Sequence, residues 1–398
     1  MTQLYSDVRI LDLSTGIPGP FCARIFADYG ADVVKVEALT GDSSRRRGPF
    51  PGDIPNPEAS ASYLHLNRNK RGVTLNLETP SGVELLKRLV KDADIVIESF
   101  KPGYLASIGA GFEDLKQVKP NIVLASITPF GQDGPYSQYE GTDLTYYAIG
   151  SMHMTGHADM YPIKKAASMV EHQVGNLATV AVAAAFLSAR YLGQAQHVDV
   201  SAAESQQLSS DRRIQMLLGH NYNGETSMRE PLSASALPMG IFPCADGHMQ
   251  VMTTPAWADR MAKTLKRPDF MEKLMVPGAL YSPELKAEID EVLHPWLQAH
   301  TRAEIFAEAL SNQWPCFPIN NVEDLLEDEH FRGRDFWVEQ DHPIAGPLTY
   351  PGPLARVEDG FALRHPAPQL GEHNRAFYSD ELGLTGDELR HLAGSGVI

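Results

Sequence analysis

Apolar residues in the first hundred positions switch repeatedly between two spacings. Val8–Leu13 is a short apolar run of the kind that makes a buried strand. Phe21, Ile25 and Phe26 then recur at helical spacing between Pro18 and Gly30, which predicts a helix over 19–29. Asp32–Val36 is β-branched and reads as the next strand, and Val73–Leu77 as another. Thr79 and Pro80 supply an N-cap and a first helical residue, opening a helix that runs to about Asp92. Asp94–Glu98 and Asn121–Ser126 repeat the strand pattern. Strands alternating with helices predict an α/β fold with a mostly parallel sheet covered on its faces.

A long helix of Ala and other small residues is expected at 173–192, then a strand at His197–Val200 and a further helix. From about residue 225 the texture changes. Proline and methionine become frequent, and Ile241–Cys244 and Met249–Met252 flank the turn Ala245-Asp246-Gly247. Helical segments follow to about 312, so this part reads as a second, smaller α+β domain. The tail from 330 is rich in Pro and Gly, poor at folding alone, and expected to pack back on the first domain.

Composition narrows the functional classes. With 398 residues and 43% apolar content the chain can bury a sizeable core. The formal net charge of −16 argues against nucleic acid or an anionic membrane as main partner, and an anionic ligand would need a local basic patch. No run of eighteen apolar residues occurs, and the start MTQLYSDVRILDLS lacks the basic and apolar regions of a secretory signal. Cys22, Cys244 and Cys316 are far apart and suit a reducing, cytoplasmic compartment.

Several segments carry candidate chemistry. The loop Gly16-Ile17-Pro18-Gly19-Pro20 lies where a doubly wound sheet places its ligand crevice, although a plain tight turn would look the same. Pro18 and Pro20 remove two N–H donors and the GxGxxG fingerprint is missing, which speaks against a nicotinamide or flavin site. Arg45-Arg46-Arg47 and Asn69-Lys70-Arg71 are local basic groups suited to a phosphate-rich ligand, or else solvated loop charge. Glu171 stands before the small-residue helix, where a carboxylate is often only a favourable charge–dipole pairing. His153, His157 and His172 match no metal spacing, and no GxSxG, P-loop or HExxH motif occurs.

Taken in order, RILDLSTGIPGPFCARIFADYGADVVKVE, GDSSR, HLNRNKRGVTLNLETPSG, DADIVIESFKPG, LASITPFGQDGPY, GQAQHVDVSAAES, FPCADGHMQV, PLTYPGPLARV and PQLGEHN resemble the class III CoA-transferases, the CaiB/BaiF family. The resemblance implies a Rossmann-like large domain built from both chain ends (1–205 and 330–398), a small domain at 225–318, and linkers at 206–224 and 319–329. It also implies an interlocked homodimer. The reaction would move CoA from an acyl-CoA to a free carboxylic acid, through an enzyme-bound anhydride and then an enzyme–CoA thioester. It needs no metal and no tightly bound cofactor, the CoA thioester being substrate.

By the same resemblance Glu171 falls at the family's nucleophilic aspartate, one methylene longer. The CoA-binding positions are Ile17, Pro18, Ala38, Asn69, Lys70, Arg71, Ser99, Phe100 and Lys101. Phe100 and the Ile17–Pro18 backbone would flank adenine and pantetheine, and Lys70 and Arg71 would meet phosphate. Ala38 replaces a family arginine that reaches the CoA 3′-phosphate, with Arg45 or Arg46 to compensate. Ser107 replaces another, with Lys101 close by. Gly141-Thr142-Asp143 lacks the histidine of racemases on this fold, and Ser233–Met239 lacks the glycine-rich lid of some transferases. Two other readings stay open: a CoA-thioester isomerase or lyase with Glu171 as general base, and a CoA-binding protein without transfer activity.

Overall fold

The computed structural model describes residues 3–150, 160–208, 213–224, 235–358 and 360–398. His153, His157 and the first two residues of the 233–239 stretch lie outside the described residues. By its contacts the chain divides into two compact units. Met1–Met152, Ile163–Ser227 and Asp335–Ile398 form the first, and His153–Pro162 with Met228–Arg334 the second.

The first unit is built on six parallel strands: β1 (Arg9–Asp12), β2 (Asp32–Glu37), β3 (Lys70–Thr74), β4 (Ile95–Glu98), β5 (Val123–Thr128) and β6 (Gln196–Ser201), in the order β3-β2-β1-β4-β5-β6. Every ladder is parallel; Leu11 of β1, for example, pairs with Val34 on one side and Val96 on the other. The strand order reverses between β1 and β4. The connecting helices are α1 (Pro18–Asp28), α2 (Ala61–Asn67), α3 (Pro80–Val90), α4 (Tyr104–Ser107), α5 (Phe112–Val118), α6 (Asp143–Ile149), α7 (Met169–Leu192), α8 (Ala202–Gln207) and α9 (Arg213–Asn223). The expected Thr79 cap is present, its hydroxyl accepting from the Gly82 N–H at 3.0 Å.

Two cores cover the sheet. On one face Ile10, Val33, Ile95, Val123 and Ala125 pack against Phe26 of α1 and Val174, Ala178 and Val182 of α7. On the other, Leu11, Val34, Val73, Val96 and Leu124 pack against Leu86 and Leu89 of α3 and Leu115 of α5. The alternation along each strand fixes which residues reach which core. α7 is long and apolar enough to cross a bilayer by length and composition. Its stripe Val170, Val174, Ala178, Val182, Phe186 and Ala189, however, is buried in the first of these cores.

The second unit has an antiparallel sheet of β7 (Met239–Cys244), β8 (Gly247–Met252) and β9 (Cys316–Pro318). Around it lie α10 (Ala258–Thr264), α11 (Asp269–Leu274), α12 (Pro283–Ala299), α13 (Arg302–Ser311), α14 (Val322–Glu327) and α15 (Glu329–Gly333). Its own core joins Met249, Val251, Met261, Phe270, Ile289, Leu293 and Ile305. The buried Trp314 indole donates to Thr253 Oγ1 at 2.9 Å.

The chain then returns to the first unit as the hairpin β10 (Trp337–His342) and β11 (Gly346–Pro351), an extended tail, a π-helical turn (Ala376–Glu381) and α10's last successor, α16 (Gly386–Gly394). This tail covers the open edge of β3. Asn69 N–H donates to His365 O at 2.9 Å, Gly72 N–H to His373 Nδ1 at 3.1 Å and Thr74 N–H to Asn374 Oδ1 at 2.8 Å. Gly72 permits the approach: a β-carbon there would lie 2.8 Å from Pro368.

Two elements differ from expectation. The third strand begins at Lys70 rather than Val73, because Lys70 and Gly72, weak strand formers by type, are held by β2 on one side while the tail meets Gly72 on the other. The long helix begins at Met169, four residues before the expected start, so Glu171 lies inside its first turn rather than ahead of it.

Candidate active site

In a doubly wound sheet the ligand crevice opens at the carboxyl ends of the strands, where the strand order reverses. Here that point lies between the loop after β1 and the loop after β4. The two loops are joined by the Thr15 N–H, which donates to Ser99 Oγ at 2.9 Å. Gly16, at φ +80°, takes a left-handed turn into α1, and its N–H points to Asp42 Oδ1 at 3.3 Å. Glu98 ends β4 and is 4% exposed. It accepts from the Phe100 N–H at 2.6 Å, and burial pushes its carboxyl up to about 7 against the opposing bonds from Ser126 and Phe100. Pro18, Ser99 and Phe100 are half-buried here, Ile17 is buried, and Ala38 and Lys101 are exposed.

Beneath these loops lies a buried lattice of charge. Lys70 Nζ donates to Asp12 Oδ2, Pro20 O and Asn67 Oδ1, each at 2.8 Å. Lys35 Nζ pairs with Asp42 at 2.9 Å and lies 3.8 Å from Asp12. Asp42 also caps the turn Ser43–Arg46 through the Ser44 N–H at 2.7 Å. Arg45 grips both oxygens of Glu37 at 2.7 and 2.8 Å, and donates to Glu58, Tyr63 and Pro368 O. Burial draws the Lys70 ammonium down to about 8, with Asp12 opposing. Burial also works against Lys35, but Asp12 and Asp42 outweigh it and hold that ammonium above its ordinary value.

This lattice corrects four sequence expectations. Lys70 is fully buried, with its three donors used inside the fold, so it does not present a cation to phosphate. Arg45 is likewise spent on Glu37 and Glu58, so of the two arginines named to compensate for Ala38 the exposed one is Arg46, with Arg47 exposed beside it. Asn69, at φ +63°, donates to Asp28 Oδ1 and Ala362 O and accepts from the Arg364 and His365 N–H groups, clasping the tail. Arg71 pairs with Asp32, the first residue of β2, and with Glu381. That is the amino edge of the sheet, away from the crevice. A sequence shows basic residues beside a strand, but not that a long side chain threads back into the interior.

Lys101 remains outside, in a solvated ion pair with Glu140 at 3.3 Å. Ser107, the other departure from the family arginines, caps its own turn by donating to Tyr104 O.

Glu171 is placed by two contacts of α7. One turn on, Gly175 meets α1 so closely that a β-carbon would lie 2.8 Å from the Pro18 carbonyl oxygen. Residues four apart share a helix face, so Glu171 lies on the side of α7 that carries Gly175. Next to it, the His172 ring meets Phe21 edge-on at 5.1 Å. The second contact is Asp143 on α6, missed in the sequence. Its Oδ1 accepts from the N–H groups of Val170 at 2.8 Å and Glu171 at 3.4 Å. Its Oδ2 is held by Lys164 Nζ at 3.1 Å. Tyr146, on the same helix, keeps its phenol proton: burial first, then the charges of Glu171 and Asp143, raise it. Among the described residues the Glu171 carboxylate has no hydrogen-bond or ion-pair partner, and no cluster of three or more His, Cys, Asp or Glu is arranged to hold a metal. A partly buried carboxylate at a helix start can act as a nucleophile or a base.

The family model for CoA-transferase family III matches residues 5–374. Over its full length the chain is 31% identical to the succinyl-CoA:(R)-benzylsuccinate CoA-transferase subunit BbsE of Thauera aromatica, covering 99% of that protein. It is 28% identical to the human succinyl-CoA:glutarate CoA-transferase, covering 98% of this chain and 89% of that one. Among solved structures, a CaiB/BaiF family protein from Brucella suis superposes with a TM-score of 0.80 at 25% identity, covering 96% of this chain and 100% of that one. With the family match spanning nearly the whole chain, and the parallel sheet shared, this protein belongs to CoA-transferase family III and is an enzyme of CoA transfer.

Proposed function

We propose that the protein moves CoA from an acyl-CoA to a free carboxylic acid with Glu171 as covalent nucleophile. A Glu171 oxygen attacks the thioester carbonyl and CoA thiolate leaves, giving a mixed anhydride. The thiolate then attacks the Glu171 acyl carbon and expels the donor acid, giving an enzyme–CoA thioester. The acceptor acid attacks that thioester, and the returning thiolate releases the new acyl-CoA and free Glu171. Each step exchanges one activated acyl bond for another, so no ATP is consumed. The observation that carries this reading is the carboxylate in the first turn of α7, without a partner among the described residues and on the helix face that Gly175 presses against Pro18.

In this reading Ile17, Pro18, Ala38, Ser99, Phe100 and Lys101, with Arg46, hold the CoA, whose thioester serves as substrate with no tightly bound cofactor. The relatives act on succinyl-CoA with benzylsuccinate or glutarate, which favours a small dicarboxylic acid on one side of the exchange. The working unit is an interlocked homodimer in the cytoplasm, without nucleic acid or membrane as partner. Support for self-association comes from the outward side of α7, where Val180, Tyr191 and Leu192 are 68, 79 and 66% exposed.

The test is trapping during turnover with succinyl-CoA. Hydroxylamine should convert Glu171 to a hydroxamate, and borohydride should reduce its CoA thioester to an alcohol, both read by peptide mass. Glu171→Gln should abolish transfer. An unmodified Glu171 peptide, with the Gln variant keeping most of its rate, would overturn the reading. Solvent-deuterium exchange at the acyl α-carbon without trapping would assign Glu171 the role of general base instead.

A further inference from the structure

We propose that Asp143 is the positioning residue for Glu171, acting through the backbone of α7 and locked by Lys164; the inference rests on Glu171 being the nucleophile. The first turn of a helix leaves N–H groups without partners, and a side chain just ahead of the helix usually supplies them. Ser168 occupies that place in α7 but its side chain makes no cap bond. The acceptor comes instead from 27 residues upstream, where Asp143 Oδ1 takes the Val170 N–H at 2.8 Å and the Glu171 N–H at 3.4 Å. The residue carrying the reactive carboxylate is thus bonded through its own amide.

The other oxygen of Asp143 is equally fixed. Lys164 Nζ donates to Asp143 Oδ2 at 3.1 Å, to Lys165 O at 2.8 Å and to Ala167 O at 2.6 Å, using all three of its protons. Ala167 sits at φ +56°, a left-handed conformation an alanine seldom takes, directly before the helix. One ammonium therefore ties the strained approach to α7 to the carboxylate that caps it. Asp143 is 7% exposed, so these bonds meet little competition from water. The pairing also balances the charge. Asp143 is neutralised by Lys164, while among the described residues the Glu171 carboxylate has no ion-pair partner. Without the clamp, the first turn would fray and the Glu171 carboxylate would lose its fixed aim at the thioester carbon.

The experiment compares Asp143→Ala, Asp143→Asn and Lys164→Met with wild type and Glu171→Gln, using succinyl-CoA as donor. The readouts are kcat, KM for acyl-CoA, the yield of Glu171 hydroxamate and the melting temperature. Thr301→Ala, which removes the cap of α13, serves as the control for simple cap loss. For Asp143→Ala we expect kcat to fall about ten- to a hundredfold, with KM for acyl-CoA within about twofold and hydroxamate yield falling in step with kcat. Asp143→Asn keeps an accepting oxygen and should recover most of the rate, while Lys164→Met should fall between them. Wild-type kcat in Asp143→Ala overturns the proposal, as does an Asn variant no faster than the Ala variant. If Asp143→Ala does not fold, unchanged kcat in both Asp143→Asn and Lys164→Met overturns it. Full activity in Glu171→Gln removes the nucleophile reading itself, and the proposal with it, whereas an inactive Glu171→Gln beside an unaffected Asp143→Ala rejects this inference alone.

Discussion

Gly175 and Pro18 are in contact at a distance that excludes any side chain on the glycine: a β-carbon would lie 2.8 Å from the Pro18 carbonyl oxygen and 2.9 Å from Phe21 Cδ1. One of those atoms is backbone, so the relief must come from moving a helix. Gly175→Ala gains about 1 kcal/mol of helix propensity and loses roughly 1–3 kcal/mol to overpacking. The net change in stability should be small, within about 2 kcal/mol. The catalytic effect should be larger, because the displaced face is the one that aims Glu171. We expect kcat to fall at least about tenfold while the thermal midpoint moves by only a few degrees. Unchanged kcat would separate the helix contact from catalysis.

Arg45 and Arg46 are neighbours with opposite expected phenotypes. Arg45 is buried against Glu37 and Glu58, so Arg45→Ala strands Glu37 in the interior and should cost about 3–5 kcal/mol of stability. Arg46 is exposed and donates a 3.4 Å bond to Thr40 O. Arg46→Ala should leave the melting temperature within about 1 °C and raise KM for acyl-CoA about tenfold or more, as a charged phosphate contact contributes about 1.5–3 kcal/mol. Melting curves and steady-state kinetics on the two variants check this directly, and the reverse pattern would move the phosphate back to Arg45.

Glu98 predicts a pH effect with a definite sign. Burial raises its carboxyl from 4.5 to about 7, so between these values the folded protein holds a proton that the unfolded chain has released. Stability from this group is therefore intact below pH 4.5 and declines as pH climbs to 7, by up to roughly 3 kcal/mol at about 1.4 kcal/mol per unit. Glu98→Gln should flatten that slope and melt higher than wild type at pH 7.5. Urea titrations at pH 5 and pH 7.5 measure it; identical slopes in the two proteins would mean that Glu98 titrates normally.

The exposed outer side of α7 gives a fourth prediction. Val180→Glu and Tyr191→Glu place charge on surface that is 68 and 79% exposed in the single chain, so neither should unfold it. If that surface is covered by a second copy, both should shift light-scattering mass from dimer to monomer at micromolar concentration. A wild-type protein already monomeric under those conditions would contradict the dimer.

What could be read in the sequence was local. Pro18 before Phe21, and Thr79 ahead of Pro80, announced α1 and α3 because caps and helical spacing act within one turn. Asp32–Val36 and Asp94–Glu98 read as strands because strands buried on both faces are apolar throughout. Lys70 could not be read. Its partners Asp12 and Pro20 are 58 and 50 residues away, and only the sheet brings them within reach. Asp143 escaped for the same reason, since a cap delivered from another helix leaves no motif. The start of α7 was misjudged because the usual N-cap signal is absent at Ser168, the cap being supplied from outside. Glu171 itself came only from family resemblance; its surroundings in the sequence fit an ordinary helix start equally well.

The edge of β3 has a temporal consequence. Gly72 and Thr74 wait for His373 and Asn374, partners about 300 residues later in the chain. At roughly 5–20 residues per second, a ribosome needs on the order of 15–60 s to deliver them. Throughout that interval the nascent sheet ends in a bare strand, the kind of surface that recruits other strands. Newly made protein should therefore depend on chaperone cover until its last segment emerges, and truncations near residue 365 should aggregate rather than yield a smaller working enzyme.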